Sequence, residues 1–273
     1  MPELPEAENI CRALDRALSG RLITAVEVFS PAMRTPIAPL TGAGLEGKSI
    51  LKVIRRGRYV VMVLDDGRGI LLHFGMSGVV RVEGAEVPRR KHEHIFIHLD
   101  DGRIFRFECT RRFSLCEVHT LNASGVPPVL DKLGVEPLSD DFTGSHFYRS
   151  CRGRKSPVKN LLMDNTIVVG IGNIYAAETL HAAGIDPRRN GGDLTEKECE
   201  VIVKSAREIL CRAIAAGGTT VSDFLNVDGS EGLFVRELLV YGRAGKKCAR
   251  CGGYIAVCRQ GGRSSFYCPG CQK

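Results

Sequence analysis

The sequence predicts an α+β chain: a leading helix and an antiparallel sheet in the first half, helices in the second, and a cysteine-stapled hairpin at the end. Three observations carry this. From Arg21 to about Val118 the apolar residues come in short alternating runs, and Asp66-Gly67 and Asp101-Gly102 each sit between two such runs; Asp-Gly between alternating segments is a strong hairpin signal because both residues tolerate positive φ. Beyond Ser139 the apolar spacing turns helical. The last segment carries two Cys-x₂-Cys pairs.

Taken in order, Ala7 to Leu18 reads as a helix, with Ile10, Leu14 and Leu18 on one face and Ser19-Gly20 as its stop. Ile23 to Val28, Ile95 to Leu99 and Ile104 to Phe107 alternate as half-buried strands do. The sheet closes as a sandwich or a barrel. Residues 122–139, with Gly125-Val126-Pro127-Pro128 and Pro137, read as a linker. Helical texture follows at Asp141 to Cys151, Ser156 to Asp164, Ile174 to Ala183 and Thr195 to Ala216, the last opened by the capping signal Thr195-Glu196-Lys197-Glu198. The expected division is 1–121 for the sheet domain, 122–139 for the linker, 140–237 for the helical domain and 238–273 for the stapled tail.

Composition sets limits. With 273 residues, 44% hydrophobic and 25% charged, the chain can bury a core, which excludes disorder and collagen-like repetition. Its apolar runs fall far short of the roughly 20 residues of a membrane helix, and two early carboxylates with no basic-then-apolar block speak against a signal peptide. A cytoplasmic protein without membrane partners is expected. The net charge is +7. From Tyr241 to Lys273 there are seven Lys or Arg and no Asp or Glu, a concentration that suggests a polyanion such as nucleic acid.

Eleven cysteines, an odd number, do not form a disulfide framework here. Cys11, Cys109, Cys116, Cys151, Cys199, Cys211 and Cys258 are scattered and read as small hydrophobes or idle thiols. Cys248, Cys251, Cys268 and Cys271 are different: two Cys-x₂-Cys pairs with 16 residues between them. Four thiolates complete a tetrahedral Zn²⁺ and leave no position for water, so one structural zinc is expected. The ion would fold a tail too small for a core of its own.

Met1-Pro2 carries chemistry of another kind. Once Met1 is removed, Pro2 presents a secondary amine. An α-amino group titrates near 8, against about 10.4 for Lys, so more of it is free base at neutral pH. It can attack a carbonyl carbon and form an iminium. Glu3 and Glu6, three residues apart, can share acid and base duties beside it.

Met1-Pro2-Glu3-Leu4-Pro5-Glu6-Ala7-Glu8, His73-Phe74-Gly75-Met76-Ser77-Gly78, Lys91-His92-Glu93-His94, Arg111-Arg112-Phe113, Met163-Asp164-Asn165, Gly170-Ile171-Gly172-Asn173-Ile174-Tyr175-Ala176 and the four-cysteine tail occur in this order. Together they resemble the formamidopyrimidine-DNA glycosylases, over essentially the whole chain. The resemblance implies an N-terminal β-sandwich with a helix, a helix–two-turn–helix domain and a zinc finger, with duplex DNA in the cleft between. It implies a bifunctional glycosylase and abasic-site lyase acting as a monomer in the bacterial cytoplasm on duplexes with oxidised bases or abasic sites. Pro2 would attack C1′ of an oxidised purine nucleotide, such as 8-oxoguanine, expel the base and hold the opened sugar as a Schiff base, with β and δ eliminations cutting the strand. Glu3 would act as acid and base at the sugar and Glu6 would support the amine. Met76, Arg111 and Phe113 would fill the gap left by the extruded base, a cost of a few kcal/mol that such enzymes must meet. His92, Lys159, Asn173 and Arg263 would grip phosphates, Arg263 also serving the catalytic site.

The chain departs from that family's pattern at three places. Arg58 stands where a lysine is usual, keeping the charge but not an amine. Cys109-Thr110 replaces Asp-Pro, and Ser114 replaces Gly. Asp228-Gly229, with Gly232 and Phe234, resembles the loop that covers the lesion. The competing expectations are an endonuclease VIII-like preference for oxidised pyrimidines, a catalytically weak damage binder, and a zinc-ribbon adaptor without chemistry.

Overall fold

The computed structural model describes residues 2–219 and 232–273. The chain divides into two compact units, Met1–Asp131 with Gly217–Leu233, and Lys132–Ala216 with Phe234–Lys273. Met1, Asp228 and Gly229 lie outside the described residues.

The first unit opens with α1 (Leu4–Leu18), followed by β1 (Ile23–Val28), β2 (Ile50–Arg56), β3 (Tyr59–Leu64), β4 (Arg68–His73), β5 (Gly78–Gly84), β6 (Glu93–Leu99), β7 (Arg103–Cys109) and β8 (Leu115–Thr120). They form two four-stranded sheets, in the orders β1-β6-β7-β5 and β2-β3-β4-β8, with antiparallel pairings throughout. Two separate sheets settle the choice in favour of a sandwich. Both Asp-Gly turns join neighbouring strands, β3 to β4 and β6 to β7. Ile10, Leu14 and Leu18 of α1 enter the same core as Val60, Met62, Ile70, Leu72, Ile95, Ile97, Phe105 and Phe107. The helix starts three residues earlier than its apolar spacing predicts, because Glu3 caps it and Pro5 sits in the first turn, where no N–H is needed.

One buried charge was not legible in the strand pattern. Arg106 of β7 is only 1% exposed. Its guanidinium lies 4.7 Å from the Phe96 ring centroid and donates to the carbonyls of Gly84 and Val87 at 3.1 and 2.7 Å. With the Glu93 and Glu83 carboxylates 3.6 and 3.8 Å from the guanidinium, these acceptors make the buried cation tolerable, and the carbonyl bonds pin the loop that leads to Lys91 and His92.

The second unit holds α2 (Gly144–Cys151), α3 (Val158–Leu162), α4 (Asn173–Ala183), α5 (Glu196–Ala215) and the hairpin of β9 (Ala256–Gln260) and β10 (Arg263–Tyr267). The helices begin where their caps dictate. Thr143 accepts the His146 N–H at 3.0 Å, so α2 starts at Gly144 and not Asp141. Pro157 delays α3, and Thr195 with Glu198 makes the expected capping box on α5. Glu198 also accepts Arg189 at 2.6 Å, and that bond holds its carboxyl down at about 2. Part of the expected linker is structured: Val135 bridges Val168, and Gly134 N–H donates to the Asn165 carbonyl at 2.7 Å. Five of the scattered cysteines (Cys11, Cys109, Cys116, Cys151 and Cys199) are buried, as small hydrophobes should be. Among the described residues no helix is long and apolar enough to cross a membrane.

Candidate active site and nucleic-acid interface

The start of α1 is built around two carboxylates. Pro2, Glu3 and Glu6 are all buried, the glutamates at 5% and 2% exposure. Glu6 Oε2 accepts the Glu3 backbone N–H at 2.8 Å, one half of a capping box. Its other oxygen, Oε1, accepts the Thr219 N–H at 2.8 Å across more than 200 residues of sequence. Gly217 and Gly218 have φ of +79° and +85°, and a Cβ on Gly218 would lie 3.0 Å from Glu6 Oε1. Only glycines permit that approach at that φ. Thr219 also bridges Leu233. The Gly217-Gly218 pair was the available sequence signal for Thr219, and it was missed.

Arg58 follows Gly57 in the two-residue turn between β2 and β3. The turn is braced from α1: Glu8 accepts Arg55 Nε at 2.7 Å, and Arg55 Nη1 donates to the Gly57 carbonyl at 3.0 Å. At the end of β4, His73 Nδ1 accepts the Gly75 N–H at 3.2 Å and its ring packs 4.8 Å from Tyr59. Burial, with the nearby charges of Arg58 and Arg34, pushes the His73 imidazole from 6.5 down to about 4. The unfolded chain therefore takes up a proton near 6.5 that the folded chain refuses until about 4. Folded-state stability should fall as pH drops through that window and level off below it. Thermal unfolding of His73→Asn across pH 4 to 7 should show a flatter acid limb than the parent protein.

The expected gap-filling residues sit on two neighbouring loops. Met76 and Phe113 are 46% and 50% exposed, unusual for large apolar side chains, and the Arg111 guanidinium lies 5.4 Å from the Phe113 ring centroid. His92 is half-buried, and its carbonyl accepts the Cys109 N–H at 2.9 Å, which fixes it at the foot of the same strand end.

In the second unit, Asn173 is the first residue of α4, after the Gly170-Ile171-Gly172 turn. Its Oδ1 accepts Lys159 Nζ at 2.5 Å and its Nδ2 donates to the Ser264 carbonyl at 3.1 Å. Lys159 is only 1% exposed, and it bonds Ser265 Oγ at 2.7 Å as well. The sequence placed Lys159 on a phosphate; the structure turns its ammonium inward, where it clips α3, α4 and β10 together. Arg263, at the start of β10, is exposed and borders a cavity of about 150 Å³ with Lys159, Asn160, Met163, Gln260 and Gly261. Phe234 is 2% exposed and packs near Tyr175 in this unit's core, where it anchors the chain.

The four cysteine sulfurs lie within 4.8 Å of one another. Cys248 to Cys271 is 3.8 Å and Cys251 to Cys268 is 3.4 Å. A tetrahedron of Zn–S bonds near 2.3 Å has edges of about 3.8 Å, so the set fits one zinc. The 16-residue spacer folds as the β9–β10 hairpin, turned by Gly261-Gly262 at φ +53° and +75°. Burial works against ionising Cys248, but the backbone N–H groups of Cys251 and Arg250 and the His181 ring bring its thiol down to about 6. The finger is seated on α4: Ala177 joins Val240, Cys248, Ile255 and Cys268 in one apolar cluster, and buried Glu178 accepts the N–H groups of Leu239, Val240 and Tyr241 at 2.8–3.0 Å. Sequence reading missed Glu178, whose signal is the lone acid in an apolar helix.

Family models match in three blocks: the formamidopyrimidine-DNA glycosylase N-terminal domain over residues 1–116, the same enzymes' H2TH domain over 133–225, and a zinc finger found in FPG and IleRS over 245–273. Sandwich, helix–two-turn–helix and four-cysteine finger in this order define a DNA glycosylase that repairs damaged bases. Formamidopyrimidine-DNA glycosylases of Laribacter hongkongensis and Thioalkalivibrio sulfidiphilus are 44% and 43% identical to the chain, each aligned over all of both sequences. A Lactococcus lactis FPG mutant bound to Fapy-dG containing DNA superposes with a TM-score of 0.90 at 33% identity, covering 100% of both chains. The Lactococcus lactis enzyme with abasic-site DNA gives 0.90 at 33% identity over 99% of each. The chain belongs to the formamidopyrimidine-DNA glycosylase family.

Proposed function

We propose that this glycosylase excises oxidised purines from duplex DNA and then cuts the strand at the resulting site, with Pro2 as nucleophile. The observation that carries the reading is the buried Pro2-Glu3-Glu6 start of α1, in which Glu6 holds both the Glu3 and the Thr219 N–H groups. A carboxylate fixed at both oxygens keeps the terminal residue and Glu3 in one arrangement, as a nucleophile and its proton carrier require. The solved relatives with Fapy-dG and abasic-site DNA support the substrate class.

The chemistry runs in balanced steps. The Pro2 nitrogen lone pair attacks C1′ of the damaged nucleotide, and the bond from C1′ to the base breaks, the base leaving with a proton. Glu3 protonates the ring oxygen as its bond to C1′ opens, which leaves an iminium. That cation acidifies C2′; loss of the C2′ proton expels the 3′ phosphate, and a second elimination expels the 5′ phosphate. Water releases Pro2. Arg58 supplies a fixed positive charge toward the lesion's phosphates, Met76, Arg111 and Phe113 fill the vacated stack, and His92, Asn173 and Arg263 hold the backbone. Lys159 contributes by positioning Asn173 and β10.

Borohydride reduction of the protein on an 8-oxoguanine·cytosine duplex should trap a covalent adduct that mass spectrometry places on Pro2. Glu3→Gln should bind that duplex normally and excise about 10²- to 10⁴-fold more slowly, the usual span for a lost general acid–base group. An adduct on another residue removes Pro2 from its role; an adduct formed only with oxidised pyrimidines moves the substrate class.

A further inference from the structure

We infer that Cys109 and Ser114 form a buried hydrogen-bond relay that locks the Met76 loop to the Arg111–Phe113 loop, so that the two present one rigid wedge. Both positions are places where the chain departs from its family's pattern. The inference rests on the reading that Met76, Arg111 and Phe113 enter the gap left by the extruded base.

The two loops leave the same sheet end: Gly78 of β5 pairs with Cys109 of β7. Ser114 is fully buried, and its Oγ lies 2.8 Å from the Phe74 carbonyl oxygen and 3.0 Å from Cys109 Sγ. A hydroxyl has a single proton. It donates that proton to the Phe74 carbonyl, a far better acceptor than a thiol, so the Cys109 S–H donates into Oγ. The result is a directed chain, S–H to O–H to O=C, whose members polarise one another in a low-dielectric interior. One end sits at the foot of the Arg111 loop and the other is two residues before Met76.

The surroundings make the relay a clip. Ser77 Oγ accepts the Arg111 N–H at 3.1 Å, tying the loops a second time. A Cβ on Gly75 would lie 2.5 Å from the Phe113 carbonyl oxygen, so the loops touch through backbone there, and one on Gly78 would lie 2.5 Å from the Ser114 hydroxyl. Arg112, at φ +55°, is the single non-glycine residue with positive φ among those described, a strained turn that persists only when its flanks are held. Cys109 is held in turn, its N–H by the His92 carbonyl and its carbonyl by His94 Nε2 at 3.1 Å. Everything below the loops is fixed, while Met76 and Phe113 above are exposed. A patch used only for packing would have no reason to brace apolar side chains toward water.

The test compares excision of 8-oxoguanine opposite cytosine and opposite adenine, because the ratio depends on where the wedge meets the unpaired base. Ser114→Ala should lower the ratio about fivefold, the value of one net hydrogen bond. Cys109→Ala should lower it in the same direction, and the double variant should be no worse than Ser114→Ala alone, since both break one chain. Cys109→Ser, which restores a donor, should keep the parent ratio. Cleavage of a single-stranded abasic oligonucleotide, which has no opposite base, should not change in any of them. An unchanged ratio in Ser114→Ala, with Met76→Ala and Arg111→Ala both lowering it, overturns the relay. If Met76→Ala and Arg111→Ala also leave it unchanged, the wedge reading itself fails and the relay falls with it.

Discussion

A protein in which Pro2 is still joined to Met1 is expected to bind a lesion duplex and leave it whole, with no adduct after borohydride. The nitrogen of a peptide bond shares its lone pair with the carbonyl and stays planar, so it cannot attack C1′ or carry an iminium. The loss should exceed that of Glu3→Gln. A missing proton carrier costs about 10²- to 10⁴-fold, whereas without the covalent intermediate both base release and strand cleavage lose their path. Binding survives because the gripping and wedging residues sit on other elements: Met76 and Phe113 are exposed on their loops, and Arg263 on β10. The free amine is also active only as its base form, about a tenth of the population one pH unit below a pKa near 8. Activity of the fully processed protein should therefore rise with pH between about 6 and 8. Mass spectrometry of the intact chain, read beside the trapping yield, checks both statements. Full trapping from protein that retains Met1 would pass the nucleophile's role to another amine, that of Met1 or a lysine, which mass spectrometry of the adduct would tell apart.

Much of this was legible in the sequence because it is written locally. The hairpins at Asp66-Gly67 and Asp101-Gly102, the apolar stripe of α1 and the Cys-x₂-Cys pairs each depend on residues a few positions apart, and each appears where its spacing places it. What was not legible depends on partners far along the chain. Glu6 meets Thr219, Glu178 meets Leu239 to Tyr241, and Lys159 meets Ser264 and Ser265. Lysine 159 shows the difference sharply. The family resemblance implies a phosphate contact for Lys159, as suits a long cation that is normally solvated. Only the fold reveals that Asn173, Ser264 and Ser265 converge on its ammonium and make burial tolerable. Phe234 differs in the opposite direction: the resemblance groups it with the lesion-covering loop, while Tyr175 and the helical core claim its ring.

The same long-range clip sets what loss of the zinc should do. Cys248→Ser is expected to release the metal and weaken lesion-duplex binding by at least about tenfold, a 1.4 kcal/mol change that two lost backbone contacts easily supply. The ion's binding free energy, roughly 10–16 kcal/mol in small fingers, is also the folding free energy of the finger. Beyond the zinc, the apolar cluster of Ala177, Val240, Cys248, Ile255 and Cys268, the Glu178 bonds and the Asn173 bond to Ser264 hold the finger to α4. The damage will not stop at Arg263. Ser264 and Ser265 belong to β10, so a loosened hairpin withdraws two of the groups that hold Lys159, and with them the support of Asn173. Mutating Arg263 alone should thus weaken binding less than removing the zinc, although Arg263 is the exposed cation. Binding titrations of Cys248→Ser and Arg263→Ala, with zinc measured by a chromogenic chelator, order the two effects. Unfolding of the β-sandwich should be unchanged in both, because the finger's cluster shares no residue with that core. Were Cys248→Ser to keep its zinc, His181, whose Nε2 lies 3.7 Å from the Cys248 sulfur, is the nearest replacement ligand, and adding His181→Phe should then release the metal.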